Sequence, residues 1–290
     1  MIDLSKFFSI QDNLLKQVPR NFKRYLYGKI NWKNRLIGLV GGRGTGKTTL
    51  LLQHLAETGP DSPNYLYISA DHIRVEALGI YEIASQFFQM GGEVIVIDEI
   101  HKYGGWPQEV KNLYDAFPKA KILFSGSSSL GLQLGKADLS RRAVFYNLPG
   151  LSFREYLYLT GEIEFPSIEF KDLLSDHSSI SSEVVAEGPV LRYFQDYIDH
   201  GIYPFFMEGT EEYPAKLGNI IEKVLFILTF AVLDFNFHHL VALASDNHVY
   251  PLLINSFKKC YLNLTGQFYA DSAVVPVVFG FHKEMVKAFE

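Results

Sequence analysis

Cysteine is almost missing from this chain: Cys260 is the only one in 290 residues. No internal disulfide can therefore form, and no cysteine-built zinc site is available. There is no stretch of about 18 or more uncharged apolar residues, so no segment reads as a membrane-spanning helix. The N-terminus, Met1-Ile2-Asp3-Leu4-Ser5-Lys6, has an acid where a signal peptide carries basic residues, and it lacks a long apolar h-region. Internal repeats and low-complexity blocks do not stand out. These absences lead to the expectation of a cytoplasmic chain with no membrane partner. Histidine is present in nine copies but scattered, with His238-His239 the only adjacent pair. Neither spacing nor flanking acids suggests a histidine-built metal site.

Charge is scarce in one region and lopsided in another. Between residues 225 and 282 only Asp234, Asp246, Lys258, Lys259 and Asp271 are charged, and the apolar residues there show no clear helical or strand period. The formal net charge of −5 conceals a basic N-terminus: residues 1–47 hold ten basic side chains against Asp3 and Asp12. Such an arm either contacts nucleic acid or complements an acidic body, and the absence of any repeated reader spacing favours the second.

Glycine, by contrast, is where chemistry needs it. Residues 41–48 read Gly41-Gly42-Arg43-Gly44-Thr45-Gly46-Lys47-Thr48, a complete G-x-x-x-x-G-K-T. An apolar run, Leu36 to Val40, precedes it, and a helix-forming run from Thr49 to Leu55 follows. A strand delivers the chain, glycines let the backbone curl, and the helix N-terminus aims several N–H groups at one spot. Fixed partial positive charge from the amides and helix dipole, with the full charge of Lys47, makes the concavity a polyphosphate site. Gly41 to Thr49 are thus the expected nucleotide-binding residues.

The surrounding pattern is α/β. Strands are expected at 64–69, 94–97, 122–124 and 143–146, with helices over 80–88 and 107–117, which argues for a mainly parallel sheet flanked by helices. From about Leu151 the pattern turns helical, at 153–159, 191–200 and 215–225, interrupted by an acidic, serine-rich segment over 161–188 that reads as a linker or lid.

Val94-Ile95-Val96-Ile97-Asp98-Glu99 is the second informative run. Four apolar strand residues deliver two carboxylates to the sheet's C-terminal edge, beside the phosphate loop. Asp98, with the Thr48 hydroxyl, is expected to hold Mg²⁺, and Glu99 to polarise the water that attacks the γ-phosphate. Ser125 and Ser127, at the end of the next strand, are candidate γ-phosphate sensors. Their alternative is simple termination of a strand, as for the adjoining Ser128 and Ser129. Arg141 and Arg142 could neutralise developing phosphoryl charge, within one copy or across a homo-oligomer, or be an exposed basic pair. No N-K-x-D guanine-reading sequence follows the acidic pair, so ATP is expected over GTP.

Together these segments resemble prokaryotic ATPases that join an AAA-type P-loop domain to a DUF4143 region, from about Tyr25 to Leu225. The resemblance rests on the phosphate loop, on Val96 to Lys102 with Trp106 downstream, and on Phe124 to Ser128. It includes Leu148-Pro149-Gly150-Leu151-Ser152-Phe153-Arg154-Glu155-Tyr156-Leu157, similar to the family's P-L-S-F-x-E-[FY]-L signature. Gly201-Ile202-Tyr203-Pro204 resembles its G-G-Y-P element, and Ile221-Glu222-Lys223-Val224 its following helix. The resemblance implies a Mg²⁺-dependent ATPase that couples nucleotide state to a conformational change. A nucleotide-gated nucleic-acid-binding module is the alternative, with the basic arm as its contact surface. The expected organisation is a basic arm (1–34), a P-loop core (35–160), a helical lid (161–225) and an atypical apolar tail (226–290). Nothing in the tail reproduces the nuclease-like segment of longer members. Two explanations compete for it: a divergent short member, or an out-of-frame reading, which the low charge favours.

Overall fold

A computed structural model of the chain describes residues 2–59, 63–127, 139, 141–164, 167–244, 249–258, 260–262, 265, 269 and 274–289. The chain divides into two compact units, the first running to Tyr213 and the second from Pro214 to Glu290. The first unit is built on five parallel strands: β1 (Leu36–Gly41), β2 (Tyr65–Ser69), β3 (Val94–Asp98), β4 (Lys121–Ser127) and β5 (Val144–Asn147). Their spatial order is β2-β3-β4-β1-β5. Parallel strands need crossover connections, and helices supply them: α2 (Lys47–Thr58), α3 (Ile73–Leu78), α4 (Ile80–Gln89) and α5 (Trp106–Ala116), with α1 (Ser5–Gln17) before the sheet.

The central strands are β-branched or leucine-rich because helices cover both faces; β3 is buried throughout, whereas β5, at the sheet edge, is half exposed. Ile37, Leu39, Val96 and Leu123 of the sheet pack against Leu50, Leu51 and Leu55 of α2. That packing fixes the axis of the helix that opens at Lys47. On the opposite edge, α1 lies along β2, where the Gln11 side-chain carbonyl accepts the Tyr67 backbone N–H at 2.7 Å. An edge strand otherwise offers unpaired N–H groups, and this amide closes one of them. The N-terminal residues expected as a basic arm are therefore built into the first unit, with Phe7, Leu15, Leu26 and Ile30 all buried.

Beyond the sheet come α6 (Phe153–Thr160), α7 (Phe170–Ala186), α8 (Val190–Asp196), a π-helical turn (Tyr197–Gly201) and a 3₁₀ turn (Pro204–Glu208). The serine-rich segment contains α7, a helix with no buried residue and a break at Asp176. Its apolar residues, Phe170, Leu173, Leu174 and Val185 among them, are exposed, and the serines and acids between them give the segment a linker-like composition. The second unit is helical: α9 (Tyr213–Ala244, all but its first residue), α10 (Val249–Ser256) and α11 (Val274–Phe289). In α9, Ala231, Phe235 and Ala242 are buried while Leu233, Leu240 and Leu243 are exposed. Apolar residues on both faces erase the 3.6-residue period, which explains the missing periodicity of this region. Among the described residues no helix is long and apolar enough to cross a membrane.

Candidate nucleotide site

The phosphate loop leaves β1 and turns directly into α2. Gly44 and Gly46 have φ of 80° and 91°, left-handed values that only glycine adopts without strain. Gly41 has a different reason: a Cβ there would lie 2.3 Å from the carbonyl oxygen of Leu148. Inside the loop the Thr45 hydroxyl donates to the Gly42 carbonyl at 2.9 Å. The Lys47 ammonium, 4% exposed, donates to the carbonyls of Gly41 and Gly42 at 3.2 and 2.9 Å. Burial pulls its pKa down, and the carboxylates of Glu99 and Asp98 oppose that pull. Among the described residues its hydrogen bonds go to backbone carbonyls, while the two carboxylates act on it through space. The loop thus presents a cation and a helix N-terminus at the C-terminal edge of the sheet, where ligands bind in open α/β folds.

Asp98 ends β3 beside this loop and is buried. Three hydroxyls converge on its carboxylate. Thr48 donates to Oδ2 at 2.7 Å, Tyr67 donates to Oδ2 at 2.9 Å, and Ser125 donates to Oδ1. Strand register makes this possible, because Asp98 pairs with Ser69 on one side and Ile97 with Phe124 on the other. Burial raises the Tyr67 hydroxyl pKa, aided by Asp98, and so keeps it a donor.

Glu99 follows in a left-handed conformation, φ 50° and ψ 36°, the one non-glycine residue with positive φ among those described. Its N–H donates to the Ser125 hydroxyl at 3.1 Å. Burial and the neighbouring Asp98 raise the Glu99 carboxyl, against the pull of Lys47 and Lys102. A strained backbone at a carboxylate beside the phosphate loop is a known mark of functional placement. His101 Nε2 lies 3.6 Å from the Glu99 carboxylate, and its Nδ1 accepts the Ser127 N–H at 3.3 Å. Burial, with Lys102 and Lys47 adding to it, lowers the His101 pKa to about 4, so the ring is neutral at pH 7.

The two sensor candidates thus divide. Ser125 is fully buried and its hydroxyl donates to Asp98. Ser127 sits at the strand end, tied through its backbone to His101; Ser128 and Ser129 lie outside the described residues. Arg142 is not brought to the site. It precedes β5, at the edge where strands begin, and forms a two-pronged pair with Asp115 at 3.0 and 2.9 Å. Arg141 stands beside it on the surface.

A second group, which sequence reasoning did not single out, closes around the loop from behind. Arg24 is 5% exposed. Its guanidinium donates to Glu155 at 2.8 Å, to the Thr45 carbonyl at 2.5 Å, and to the carbonyls of Pro149 and Gly150 at 2.9 and 2.8 Å. Glu155 also completes a capping box with Ser152 at the start of α6. The S-F-x-E part of the signature is therefore a helix start whose N3 carboxylate doubles as the partner of a buried arginine. Burial alone would raise the Glu155 carboxyl; Arg24 and the Ser152 N–H overcome it and hold the group below its ordinary range. The Leu151 N–H then reaches the Ile202 carbonyl at 2.7 Å, which leads into Tyr203-Pro204-Phe205. The rings of Tyr203 and Phe205 stack at 5.4 Å, and Phe205 carbons lie 3.1 Å from where a Gly44 Cβ would be. Beside them is a cavity of about 370 Å³ lined by Phe22, Gly46, Thr49, Gln53, Tyr158 and Pro204.

Comparison with known proteins agrees with this geometry. Residues 33–157 match the AAA_14 family, an AAA domain, and residues 211–290 match FadR_C, the FadR C-terminal domain. Uncharacterized protein MJ1637 of Methanocaldococcus jannaschii is 30% identical over 214 residues, covering 68% of this chain and 44% of that protein. The chain therefore spans less than half the length of that relative. Among solved structures, Hsp104 from S. cerevisiae in its casein complex gives a TM-score of 0.38 at 18% identity, over 55% of this chain and 32% of that one. AMPPCP-bound DnaA from Aquifex aeolicus gives 0.35 at 10% identity, over 99% and 96%. With its P-loop fold, the segment 33–157 is similar to the AAA domain of the AAA_14 family, and the segment 211–290 is similar to the FadR C-terminal domain.

Proposed function

We propose that the first unit binds ATP with Mg²⁺, hydrolyses it, and converts the nucleotide state into movement of the segment that covers the phosphate loop. The observation that carries this reading is the meeting of Lys47, Thr48, Asp98 and Glu99 at one sheet edge. The residues present suit the ligands. Lys47 is a buried ammonium whose hydrogen bonds among the described residues go to backbone carbonyls, and glycines line the loop where a Cβ would meet its neighbours. Thr48 and Asp98 form an oxygen pair of the kind a hard divalent cation prefers.

Lys47 and the N–H groups of residues 42–48 would hold the β- and γ-phosphates. Thr48 and Asp98 would hold Mg²⁺, which when bound supplies charge neutralisation at the phosphate oxygens. Tyr67 and Ser125 keep the Asp98 carboxylate oriented. Glu99 would accept the proton of the attacking water; its raised pKa makes it a better base than an exposed carboxylate. The neutral His101 beside it offers Nε2–H, since Nδ1 accepts from Ser127, and this proton steers the Glu99 carboxylate.

Coupling follows from the contacts behind the loop. Thr45 is tied to Arg24, Arg24 to Glu155, and the Glu155 helix start to Ile202 and the Tyr203–Phe205 stack. A shift of the loop on phosphate binding is felt by all of them. The cavity lined by Phe22 and Tyr158, next to Thr49, has room for a nucleobase.

The nucleic-acid alternative draws less support. Of the basic residues in 1–47, Lys23 pairs with Glu57, Arg24 with Glu155, and Arg35 donates to three backbone carbonyls. Equilibrium titration of the chain with a fluorescent ATP analogue tests the main reading. Mg²⁺-dependent saturation at one site, abolished in Lys47→Ala, supports it; equal binding by both proteins removes it.

A further inference from the structure

We infer that the Tyr203 hydroxyl binds the terminal phosphate of the nucleotide, so that the segment covering the phosphate loop distinguishes a triphosphate from a diphosphate. This rests on the nucleotide reading proposed above, and it gives a task to the Gly201-Ile202-Tyr203-Pro204 element. The residues from Tyr203 to Phe205 lie across the glycines of the loop. A Cβ on Gly42 would be 3.9 Å from the Tyr203 hydroxyl, and one on Gly44 would be 3.8 Å from Tyr203 Cδ1. A Cβ on Gly46 would be 3.8 Å from Pro204 Cγ. The hydroxyl therefore stands at the Gly42 end, and the proline at the end where α2 opens.

The polarity of the site assigns the phosphate. The cavity with room for a nucleobase is lined by Gly46, Thr49, Gln53 and Pro204, at the helix end of the loop. A nucleotide with its base there runs its phosphates toward Gly42, and the last phosphate is the one that arrives. The Lys47 ammonium lies at the same end, 2.9 Å from the Gly42 carbonyl. Cation and phenol therefore face one phosphate together. A phenolic O–H donates to a phosphate oxygen without adding charge, and a hydrogen bond to an ionised acceptor is stronger than one between neutral groups. A diphosphate in the same pose ends short of it.

Packing holds the ring in this place but leaves its oxygen unused. Phe205 stacks on Tyr203 with centroids 5.4 Å apart and on the buried Tyr213 at 4.9 Å. Two glycines permit the approach of the segment. A Cβ on Gly201 would lie 2.6 Å from a Tyr156 ring carbon, and one on Gly150 would lie 2.8 Å from the Ile202 carbonyl oxygen. A phenylalanine at position 203 would satisfy every one of these contacts. The Tyr203 hydroxyl, on a half-buried side chain, has no hydrogen-bond partner among the described residues. A polar atom left over by the packing and set at the mouth of a polyphosphate loop is explained by the ligand.

Isothermal titration calorimetry of the full chain with Mg·AMPPCP and with Mg·ADP tests this. Tyr203→Phe keeps the ring stack and removes one hydrogen bond to a charged acceptor. It should bind AMPPCP about 10- to 100-fold more weakly than the parent, with its affinity for ADP unchanged. Far-ultraviolet circular dichroism and thermal unfolding establish that the variant is folded. Lys47→Ala, by contrast, should lose both nucleotides. If the ratio of the two affinities in Tyr203→Phe equals that of the parent, whether both hold or both fall, the inference is wrong and the nucleotide reading stands. A parent chain that binds neither nucleotide would overturn the two together.

Discussion

At the scale of single residues, the site is organised around one buried carboxylate. Asp98 receives Thr48, Tyr67 and Ser125 together, and each hydroxyl both satisfies and orients it. Removing one leaves a buried acceptor short of a partner, which costs about 1–3 kcal/mol. Tyr67→Phe and Ser125→Ala should each lower stability by that amount in urea unfolding and raise the Mg²⁺ concentration needed for nucleotide binding. Thr48→Ala should likewise lower stability and raise the Mg²⁺ requirement, since its hydroxyl donates to Asp98 and is a proposed ligand of the ion. His101 makes a separate prediction. Its pKa of about 4 in the folded chain lies below the ordinary value of 6.5. The unfolded chain therefore binds a proton that the folded one refuses between those values, and stability must fall as pH drops from about 6.5 to 4. The total is up to about 3 kcal/mol, and His101→Gln should flatten that limb of a stability–pH curve.

At the scale of elements, the phosphate loop is braced by a short N-terminal segment and by the start of α6. Arg24 and Glu155 are both nearly inaccessible, so breaking the pair leaves an uncompensated buried charge. Arg24→Met or Glu155→Gln should each cost about 3–5 kcal/mol, with the double variant costing less than the sum of the two. The Glu155 carboxyl sits below its usual range. Its contribution is therefore present above the unfolded carboxylate pKa and lost as pH falls through the lower folded value. The difference in stability between parent and Glu155→Gln should shrink correspondingly in acid. This is also where sequence reading reached its limit. The loop and the strand ending in Asp98-Glu99 are local patterns, whose spacing and apolar flanks announce them. Arg24 and Glu155 are 131 residues apart, and only the folded backbone brings them together. Ser125 was visible as a polar residue at a strand end. Its role as a donor to Asp98 depends on the β3–β4 register, which no single strand reveals. Arg142 looked well placed because it precedes a strand, yet preceding a parallel strand puts it at the wrong edge.

At the scale of the whole molecule, two units of different character share the chain. The first carries the AAA-like domain and the proposed nucleotide chemistry; the second is helical, resembles the FadR C-terminal domain, and had little legible signal. Its helices show apolar residues on more than one face, which hides their period. Because the residues of the proposed nucleotide site all belong to the first unit, Mg·ATP should stabilise that unit against unfolding. The gain is about 2.7 kcal/mol at a hundredfold excess over Kd. Differential scanning calorimetry of the parent and of Lys47→Ala would show the shift in one and not in the other.

The most direct measurement of the central claim is phosphate release from Mg·ATP by the parent chain beside Glu99→Gln, with ATP binding measured on both. We expect turnover in the parent and unchanged binding in the variant, with hydrolysis lowered by about 10²- to 10⁴-fold, the range for loss of a general base. A variant that hydrolyses ATP as fast as the parent would contradict the role given to Glu99 and, with it, the account of this site as an ATPase centre.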